Sequence, residues 1–277
     1  MSGQDSAVVS ASPQVDFKQS CKESADLTFT ADLMKPFQTL ILFLILFPAL
    51  LFSFSLHGES KPKSEAPKRQ ISPILKAIED KPGLPRVLII GDSISMGYTL
   101  PVRRALEGKA NVHRIPQNGG PTSNGIKNIE KWLGSGKWDV IHFNWGIHDL
   151  KLMPDGKRQV EAADYEANLR TLIARMKKSG AKLIWATTTP IPDGELVPSR
   201  RFGKVADYNA IAARVMIEND IVINDLNAWI TPKLAEMQKP HDVHYLDNGS
   251  DYLAQKVAAE IQQALAKLAP PSPDQVR

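Results

Sequence analysis

Apolar residues occur along the chain in short runs that alternate with segments of helical spacing. Five runs predict β-strands, at 86–93, 111–117, 138–146, 182–190 and 221–227. The segments between them predict helices because their apolar residues recur with a period near 3.6, and the last helix is expected at 249–268. Alternating strands and helices predict a parallel sheet, and strands as apolar as "VLII" are typical of a sheet covered on both faces. We therefore expect an α/β fold.

The N-terminal part of the chain has a different pattern. Residues 40–52 are thirteen consecutive apolar residues, which is shorter than the roughly 20 that a membrane-spanning helix needs. Met34 and Lys35 precede this run in the way that a short positive region begins a signal peptide. We expect a signal peptide or an uncleaved anchor at 34–57, with any membrane anchor formed by 37–56. The protein is then exported, either periplasmic or secreted, or is held at the membrane.

The other segments outside the domain lack periodicity. Residues 1–33 predict a disordered tail or a start codon placed too far upstream, and 58–84 predict a linker rich in Pro, Ser, Lys and Glu. The folded domain then occupies 85–268, or begins as early as Ile71, and 269–277 are expected to be disordered. The linker is net positive, and the positive-inside rule taken alone favours a cytoplasmic position for this side of the apolar run.

Charge and cysteine content exclude several kinds of function. The net charge is +4, but the basic residues are scattered and form no basic helix, so nucleic-acid binding is not expected. The single cysteine, Cys21, lies in the N-terminal tail. The domain therefore has no disulfide, no thiolate metal site and no cysteine nucleophile.

Candidate chemistry lies at the carboxyl ends of the strands, where parallel sheets bind ligands. Ser93 follows the first strand at the start of a helix, whose positive end favours a developing oxyanion, although serine is also a common N-cap. A serine nucleophile requires a base that a third group orients. Asp242 and His244 lie in the loop before the last helix, on the same edge as Ser93, and Asp225 at the end of the fifth strand is an alternative acid.

Four motifs lie on this edge, and their sequences are "GDSIS", "NGGPTSNG", "NWGIHDL" and "DVHYLDNGS". In order and approximate spacing they resemble the four blocks of the SGNH (GDSL) hydrolases, over about residues 85–268. The resemblance implies a three-layer α/β/α sandwich with a flavodoxin-like five-stranded parallel sheet. It also implies ester hydrolysis by a serine mechanism, with no metal and no cofactor.

The resemblance also implies roles for individual residues. Ser93 is similar to the catalytic serine, His244 to the base and Asp242 to the acid that orients it. The N–H groups of Ser93 and Gly120 are expected in the oxyanion hole. Two further aspartates are expected to support the site: Asp92, and Asp149, which we expect to tie its loop to the first motif.

The chain departs from the family pattern at two places. The third block is normally Gly-x-Asn-Asp, with the asparagine amide in the oxyanion hole, whereas this chain has His148 at that position. A neutral imidazole still offers one N–H donor, so we expect His148 to replace the amide. The commonest last block has aspartate three residues before histidine, but here Asp242 is two before His244, and His241 is at the third place.

These observations predict an exported esterase that removes short acyl groups from carbohydrates, because no long apolar segment of the domain predicts a lid for lipids. Three alternatives stay open: a degenerate protein that only binds glycans, an acyltransferase with the same serine chemistry, and a metal site. The candidate ligands of that metal site are His148, Asp149, His241, Asp242 and His244.

Other residues invite assignments of their own. Arg200 and Arg201, in the long loop after the fourth strand, are candidates for contact with an acidic or sugar substrate. Trp145 is expected to line the pocket. The remaining tryptophans of the strands and helices are expected to pack in the core, and they are Trp132, Trp138 and Trp185.

Overall fold

The computed structural model describes residues 72–268. The predictions for the tail at 1–33, the signal peptide or anchor at 34–57 and the C-terminus at 269–277 lie outside the described residues, as does most of the linker. No helix within 72–268 is both long and apolar enough to cross a membrane.

Five parallel strands form the central sheet, and two short strands form a separate antiparallel pair. In chain order the strands are β1 (Arg86–Ile90), β2 (Asn111–Arg114), β3 (Val140–Phe143), β4 (Lys151–Leu152), β5 (Lys182–Ala186), β6 (Arg201–Phe202) and β7 (Val222–Asn224). The order across the sheet is β2-β1-β3-β5-β7, which is the flavodoxin-like order. The predicted five-stranded parallel sheet is confirmed, and the β4–β6 pair is an addition that the sequence pattern did not predict.

Helices cover both faces of the sheet. They are α1 (Ser93–Ala105), α2 (Thr122–Leu133), α3 (Ala162–Lys177), α4 (Val205–Ile217), α5 (Leu226–Ile230), α6 (Leu234–Met237) and α7 (Asp247–Ala266), with a 3-10 turn at Thr231–Lys233. One core lies between the sheet and α2, α3 and α4, and the other lies between the sheet and α1, α5 and α7. The predicted three-layer α/β/α architecture is therefore confirmed.

The apolar character of β1 follows from these two cores. Successive side chains of a strand point to opposite faces. Val87 and Ile89 accordingly pack in the core with α1 and α7, whereas Leu88 and Ile90 pack in the core with α2 and α3. Because both faces are covered, the four buried positions of the strand are apolar, and only Arg86 at its start is polar.

Residues 72–84 fall within the predicted linker, yet they are bonded to the domain. The side chain of Asn111, at the start of β2, bonds both the N–H and the carbonyl oxygen of Lys81. The carboxylate of Asp80 pairs with Arg86 at 2.8 Å and with the ring of His113 at 2.6 Å. These bonds attach the segment to the edge of the sheet formed by β1 and β2.

Candidate active site

Ser93 is the first residue of α1, directly after the turn that leaves β1. The N-cap of this helix is Asp92, whose side-chain oxygen accepts the N–H of Ile94 at 2.9 Å. Ser93 therefore does not cap the helix itself, and its hydroxyl is free for another partner. As the first helical residue its N–H has no intrahelical acceptor, and it lies at the positive end of the helix dipole.

The hydroxyl of Ser93 lies at one end of a row of three hydrogen-bonded side chains. Its Oγ is 2.8 Å from Nε2 of His244, and Nδ1 of the same ring is 2.9 Å from Oδ1 of Asp242. This is the geometry of a nucleophile, a general base and an acid that orients the base. The structure thus brings Ser93 to His244, which lies 151 positions further along the chain, and to Asp242 beside it.

Asp242 reaches His244 despite the short spacing between them. Burial opposes ionisation of Asp242, but the hydrogen bond and charge of His244 outweigh burial, so the pKa of this carboxyl lies below its usual value. His241 has a left-handed backbone, with φ of 54°, and its ring Nδ1 lies 3.1 Å from the carbonyl oxygen of Glu195. Asp225, the alternative acid, instead caps α5 through the N–H of Ala228.

Arg200 also holds Asp242. Its Nη2 donates to Oδ1 of Asp242 at 2.9 Å, and about a quarter of each side chain is exposed, at 23% and 22%. The sequence offered Arg200 as a substrate contact, whereas the structure places it on the carboxylate next to the base. This contact was not predictable from the pattern, because the two residues lie in different irregular loops.

The second motif forms a loop that lies against the turn after β1. The N–H of Gly119 donates to the carbonyl oxygen of Gly91 at 2.9 Å, and a Cβ atom at Gly119 would lie 2.8 Å from that oxygen. Only glycine permits so close an approach. Gly120 has φ of 60°, and its N–H donates to Oδ1 of Asn118 at 2.9 Å. The Gly120 N–H can donate to an oxyanion only after its hydrogen bond to Asn118 is broken.

His148 lies half-buried beside the row. Burial lowers its pKa, and the nearby charges of Lys151, Arg200 and His244 lower it further, while the charge of Asp92 opposes them. The ring is therefore neutral at pH 7 and carries one N–H donor. Within residues 72–268 no hydrogen bond to either ring nitrogen is found, so this donor is available to a ligand.

Asp149 connects the third motif to the second. Its Oδ1 accepts both the N–H of Thr122 at 2.8 Å and the hydroxyl of Thr122 at 2.5 Å, at the start of α2. We expected a connection to the first motif, and this detail of the prediction was wrong. Burial raises the pKa of Asp149 to about 7 against the effect of the Thr122 bonds, and Oδ2 has no partner.

Solved structures of similar shape identify the fold. A search of family models gives no match to the chain, and neither does a search of curated proteins. A lipase/acylhydrolase from Enterococcus faecalis is similar with a TM-score of 0.57 and 22% identity, over 65% of this chain and 96% of that one. An acetyl xylan esterase, AlAXEase, is similar with a TM-score of 0.55 and 19% identity, over 64% and 99%.

A putative SGNH hydrolase from Slackia heliotrinireducens is similar with a TM-score of 0.50 and 18% identity, over 64% of this chain and 99% of that one. The chain has the SGNH hydrolase fold. The fold implied by the four motifs is thereby confirmed. In this SGNH fold all four motif loops follow the carboxyl ends of strands or precede α7.

Two cavities flank the row of side chains in this SGNH fold. The cavity that contains Ser93 and His244 has a volume of about 550 Å³ and lies between α1 and the start of α7. A larger cavity of about 1080 Å³ lies beside Arg200 and the β4–β6 pair, and it does not contain Ser93. The smaller cavity is the relevant one for chemistry, because only it exposes the nucleophile candidate.

Two further predictions concern the tryptophans and the candidate metal ligands. Trp132, Trp138 and Trp185 are buried as predicted, but Trp145 is buried too, at 1% exposure, and packs against Gly125 in the core. Its predicted place in the pocket was wrong. Among residues 72–268 no three His, Cys, Asp or Glu side chains converge as a metal site.

Sequence reasoning missed one polar residue next to the site. Arg114, at the end of β2, is only 8% exposed and bonds the turn that carries Ser93. A basic residue at the carboxyl end of a predicted strand was the available signal. This signal does not identify the partners of the guanidinium, which are known only from the structure.

Proposed function

We propose that the chain is an exported serine esterase that removes short acyl groups, above all acetyl, from carbohydrates. The observation that carries the proposal is the hydrogen-bonded row of Ser93, His244 and Asp242 at the positive end of α1. The likeness of the fold to an acetyl xylan esterase and to a lipase/acylhydrolase supports the same class of reaction. The proposed export rests on the apolar segment at 34–57.

Acylation of the serine is the first step. Oγ of Ser93 attacks the ester carbonyl carbon while Nε2 of His244 takes the hydroxyl proton, and Asp242 holds the imidazole in the tautomer that accepts it. The tetrahedral intermediate then collapses. The bond from carbon to the alcohol oxygen breaks, and His244 returns the proton to the departing alcohol.

Water completes the reaction. His244 removes a proton from a water molecule, whose oxygen attacks the acyl carbon. The bond to Ser93 then breaks, and the serine oxygen recovers its proton from His244 while the carboxylic acid leaves.

Three donors are assigned to the oxyanion in both steps. They are the N–H of Ser93 at the helix end, the N–H of Gly120 after it leaves Asn118, and the ring N–H of neutral His148. Fixed donors of this kind stabilise charge that develops only in the transition state.

The walls of the Ser93 cavity favour a small acyl group and a polar alcohol. Charged side chains line it together with Ile74, Ile94, Leu100 and Pro101, and they are Arg104, Lys239, Asp247 and Asp251. A long alkyl chain would remove water from these charges without offering them hydrogen bonds, which is unfavourable. A sugar offers hydroxyl groups to them instead.

Fluorophosphonate labelling tests the nucleophile. We expect the wild-type protein to be labelled and to hydrolyse aryl acetate, and Ser93→Ala to lose both, because no other hydroxyl within residues 72–268 is bonded to His244. His244→Ala should still bind the ester, but its kcat should fall by roughly 10³-fold or more, as in other serine mechanisms. Mass spectrometry of the labelled peptide and release of the aryl alcohol are the measurements.

Ser179→Ala, in the turn that follows α3, is the matched control, and wild-type labelling is expected. Labelling that survives in Ser93→Ala would contradict the nucleophile assignment. A wild-type protein that binds acetylated glycans but releases no acetate would fit the degenerate alternative instead.

A further inference from the structure

Arg114 lies at the end of β2 with its guanidinium buried between two loops of the site. Nη1 donates to the carbonyl oxygens of Ile115 and Gln117 at 3.0 and 2.7 Å. Nη2 donates to the carbonyl oxygens of Gly91 and Asp92, both at 2.9 Å. Nη1 therefore holds the segment that leads into the second motif, and Nη2 holds the turn after β1.

The hydroxyl of Ser95 completes the contacts of Nη2, at 2.7 Å. This hydroxyl in turn donates to the carbonyl oxygen of Asp92 at 2.7 Å. The guanidinium, the Ser95 hydroxyl and the Asp92 carbonyl group thus form a closed set of bonds directly beneath the Ser93 turn.

A buried cation without an anionic partner requires an explanation. No carboxylate among residues 72–268 lies within ion-pair distance of Arg114. Burial lowers its pKa to about 10, so it stays charged at neutral pH. Burying a charge is unfavourable unless hydrogen bonds compensate it, and here the compensation comes from carbonyl oxygens and a hydroxyl group. An apolar residue would fill the space without this difficulty but would not fix those carbonyls.

Fixing the Asp92 carbonyl group also fixes the direction of the Ser93 N–H. In a trans peptide unit the C=O and N–H point in opposite directions. Because the Asp92 carbonyl oxygen faces Arg114, the N–H of Ser93 in the same peptide unit faces away from the guanidinium. The helix itself already orients this unit through the Met96 N–H, at 3.1 Å, but the helix has no bond to the second motif.

Arg114 supplies one connection of this kind, in addition to a direct bond between the two loops. The Gly91 carbonyl oxygen accepts from Gly119 as well as from Arg114, so the two loops meet at one atom. Nη1 then holds Gln117, which lies three residues before Gly120. The separation of the Ser93 and Gly120 N–H groups therefore depends on the planar side chain of Arg114 together with the direct bond between Gly119 and Gly91.

We propose that Arg114 is a positioning residue for the oxyanion site, which holds the Ser93 and Gly120 N–H groups at the spacing that a tetrahedral oxyanion requires. The inference rests on the proposed esterase function. It goes beyond that function because Arg114 bonds the loops that carry the oxyanion donors and has no side-chain hydrogen bond to Ser93, His244 or Asp242. Its effect is confined to charge that develops in the transition state.

The experiment compares Arg114→Lys and Arg114→Met with the wild-type full chain. Lysine keeps the charge but cannot hold two loops with one planar fork, and methionine keeps much of the volume without charge. We measure kcat and KM for an aryl acetate, with kcat normalised to the folded fraction from circular dichroism. We also measure inhibition by a phenylboronic acid, which forms a tetrahedral adduct with an active-site serine.

We expect Arg114→Lys to lower kcat by about 10- to 100-fold, because small displacements of catalytic donors have effects of this size. KM should stay within about twofold, since the lost interaction exists only in the transition state. The inhibition constant of the boronic acid should rise by a factor similar to the fall in kcat. The acidic limb of the pH–rate profile should not move, because His244 and Asp242 keep their contacts.

Arg103→Lys is the matched control. Arg103 donates from α1 to the Val112 carbonyl oxygen of the same strand at 3.0 Å, but has no bond to either loop, and we expect wild-type kinetics. An unchanged kcat in Arg114→Lys, or unchanged boronic acid inhibition with a raised KM, would overturn the role of Arg114. Absence of turnover by the wild-type protein would instead count against the esterase function itself.

Discussion

His148 differs from an asparagine because the charge of its ring depends on its protonation state. An amide always carries two N–H donors, whereas an imidazole offers a donor without adding positive charge only when it is neutral. Burial and the charges of Lys151 and Arg200 lower the pKa of His148 against the opposing charge of Asp92, which favours this neutral form. The position therefore tolerates a histidine because its surroundings supply what the amide has by nature.

Substitution of His148 tests this role. We expect His148→Asn to retain most esterase activity, because the amide restores a donor, and His148→Ala to lose about 10²- to 10³-fold in kcat, the usual effect of removing one oxyanion donor. Steady-state kinetics on an aryl acetate measure both variants. Equal kcat in all three proteins would show that His148 is not a donor.

Asp149 predicts a dependence of stability on pH. The folded-state pKa of about 7 lies above the ordinary value of 3.8, so the folded protein holds a proton that the unfolded chain loses near pH 4. The stability that this proton contributes is fully present below pH 4 and is lost as the pH rises through 7. We expect Asp149→Asn to weaken this decline between pH 4.5 and 8.

Urea unfolding at several pH values measures the effect as a difference between variant and wild type. The difference removes the opposite contribution of His142, whose burial lowers its pKa to about 3. Asp207→Asn, on the exposed start of α4, is the control and should leave the slope unchanged. A parallel pH dependence of wild type and Asp149→Asn would refute the assignment.

At the scale of elements, the β4–β6 pair brings the loop after β5 close to the row. Lys151 pairs with Phe202 and Leu152 pairs with Arg201, so the two loops after β3 and β5 are joined. The residue before this pair in the second loop is Arg200, which donates to Asp242. Two residues of strand thereby set the position of a cation next to the catalytic acid candidate.

Arg200→Met tests the contribution of this element. A hydrogen bond to a charged group contributes about 1.5–3 kcal/mol, and partial exposure of this pair reduces that, so we expect kcat to fall by roughly tenfold. Arg201→Met is the control, because Arg201 is exposed and has no bond to Asp242. The proposed support of Asp242 fails if both variants keep wild-type kcat on an aryl acetate.

At the scale of the whole molecule, segments distant in sequence enclose the Ser93 cavity. Ile74 comes from the N-terminal segment, Arg104 from the end of α1, and Asp251 from α7, where Arg104 and Asp251 also form an ion pair at 2.9 Å. The cavity is therefore both apolar and charged. This composition is the structural basis for a preference among substrates.

A panel of esters tests that preference. We expect kcat/KM to be highest for acetyl esters and to fall at least tenfold by octanoyl, because a longer chain would desolvate the charged wall. Acetylated xylan should release acetate that an enzymatic acetate assay detects. A rate that rises with chain length would contradict a carbohydrate esterase and favour a lipid substrate.

The sequence by itself determined the sheet, its layers and the main site candidates. Apolar strands and helical periods are local features, and each follows from which faces a segment must bury. The four motifs indicated which loops at the carboxyl ends of the strands carry the candidate site residues. Ser93, His244 and Asp242 were named from these features, and the structure places them within hydrogen-bond distance of one another.

Only the tertiary structure decided which long-range partners the polar side chains take. The bonds of Arg200 to Asp242, of Asp149 to Thr122 and of Arg114 to the two loops join residues in different loops or elements. Such contacts leave no periodic trace, because they depend on how close two chain segments come after the sheet has formed. Burial of Trp145 has the same cause, since it is the packing of α2 and α3 that covers its ring.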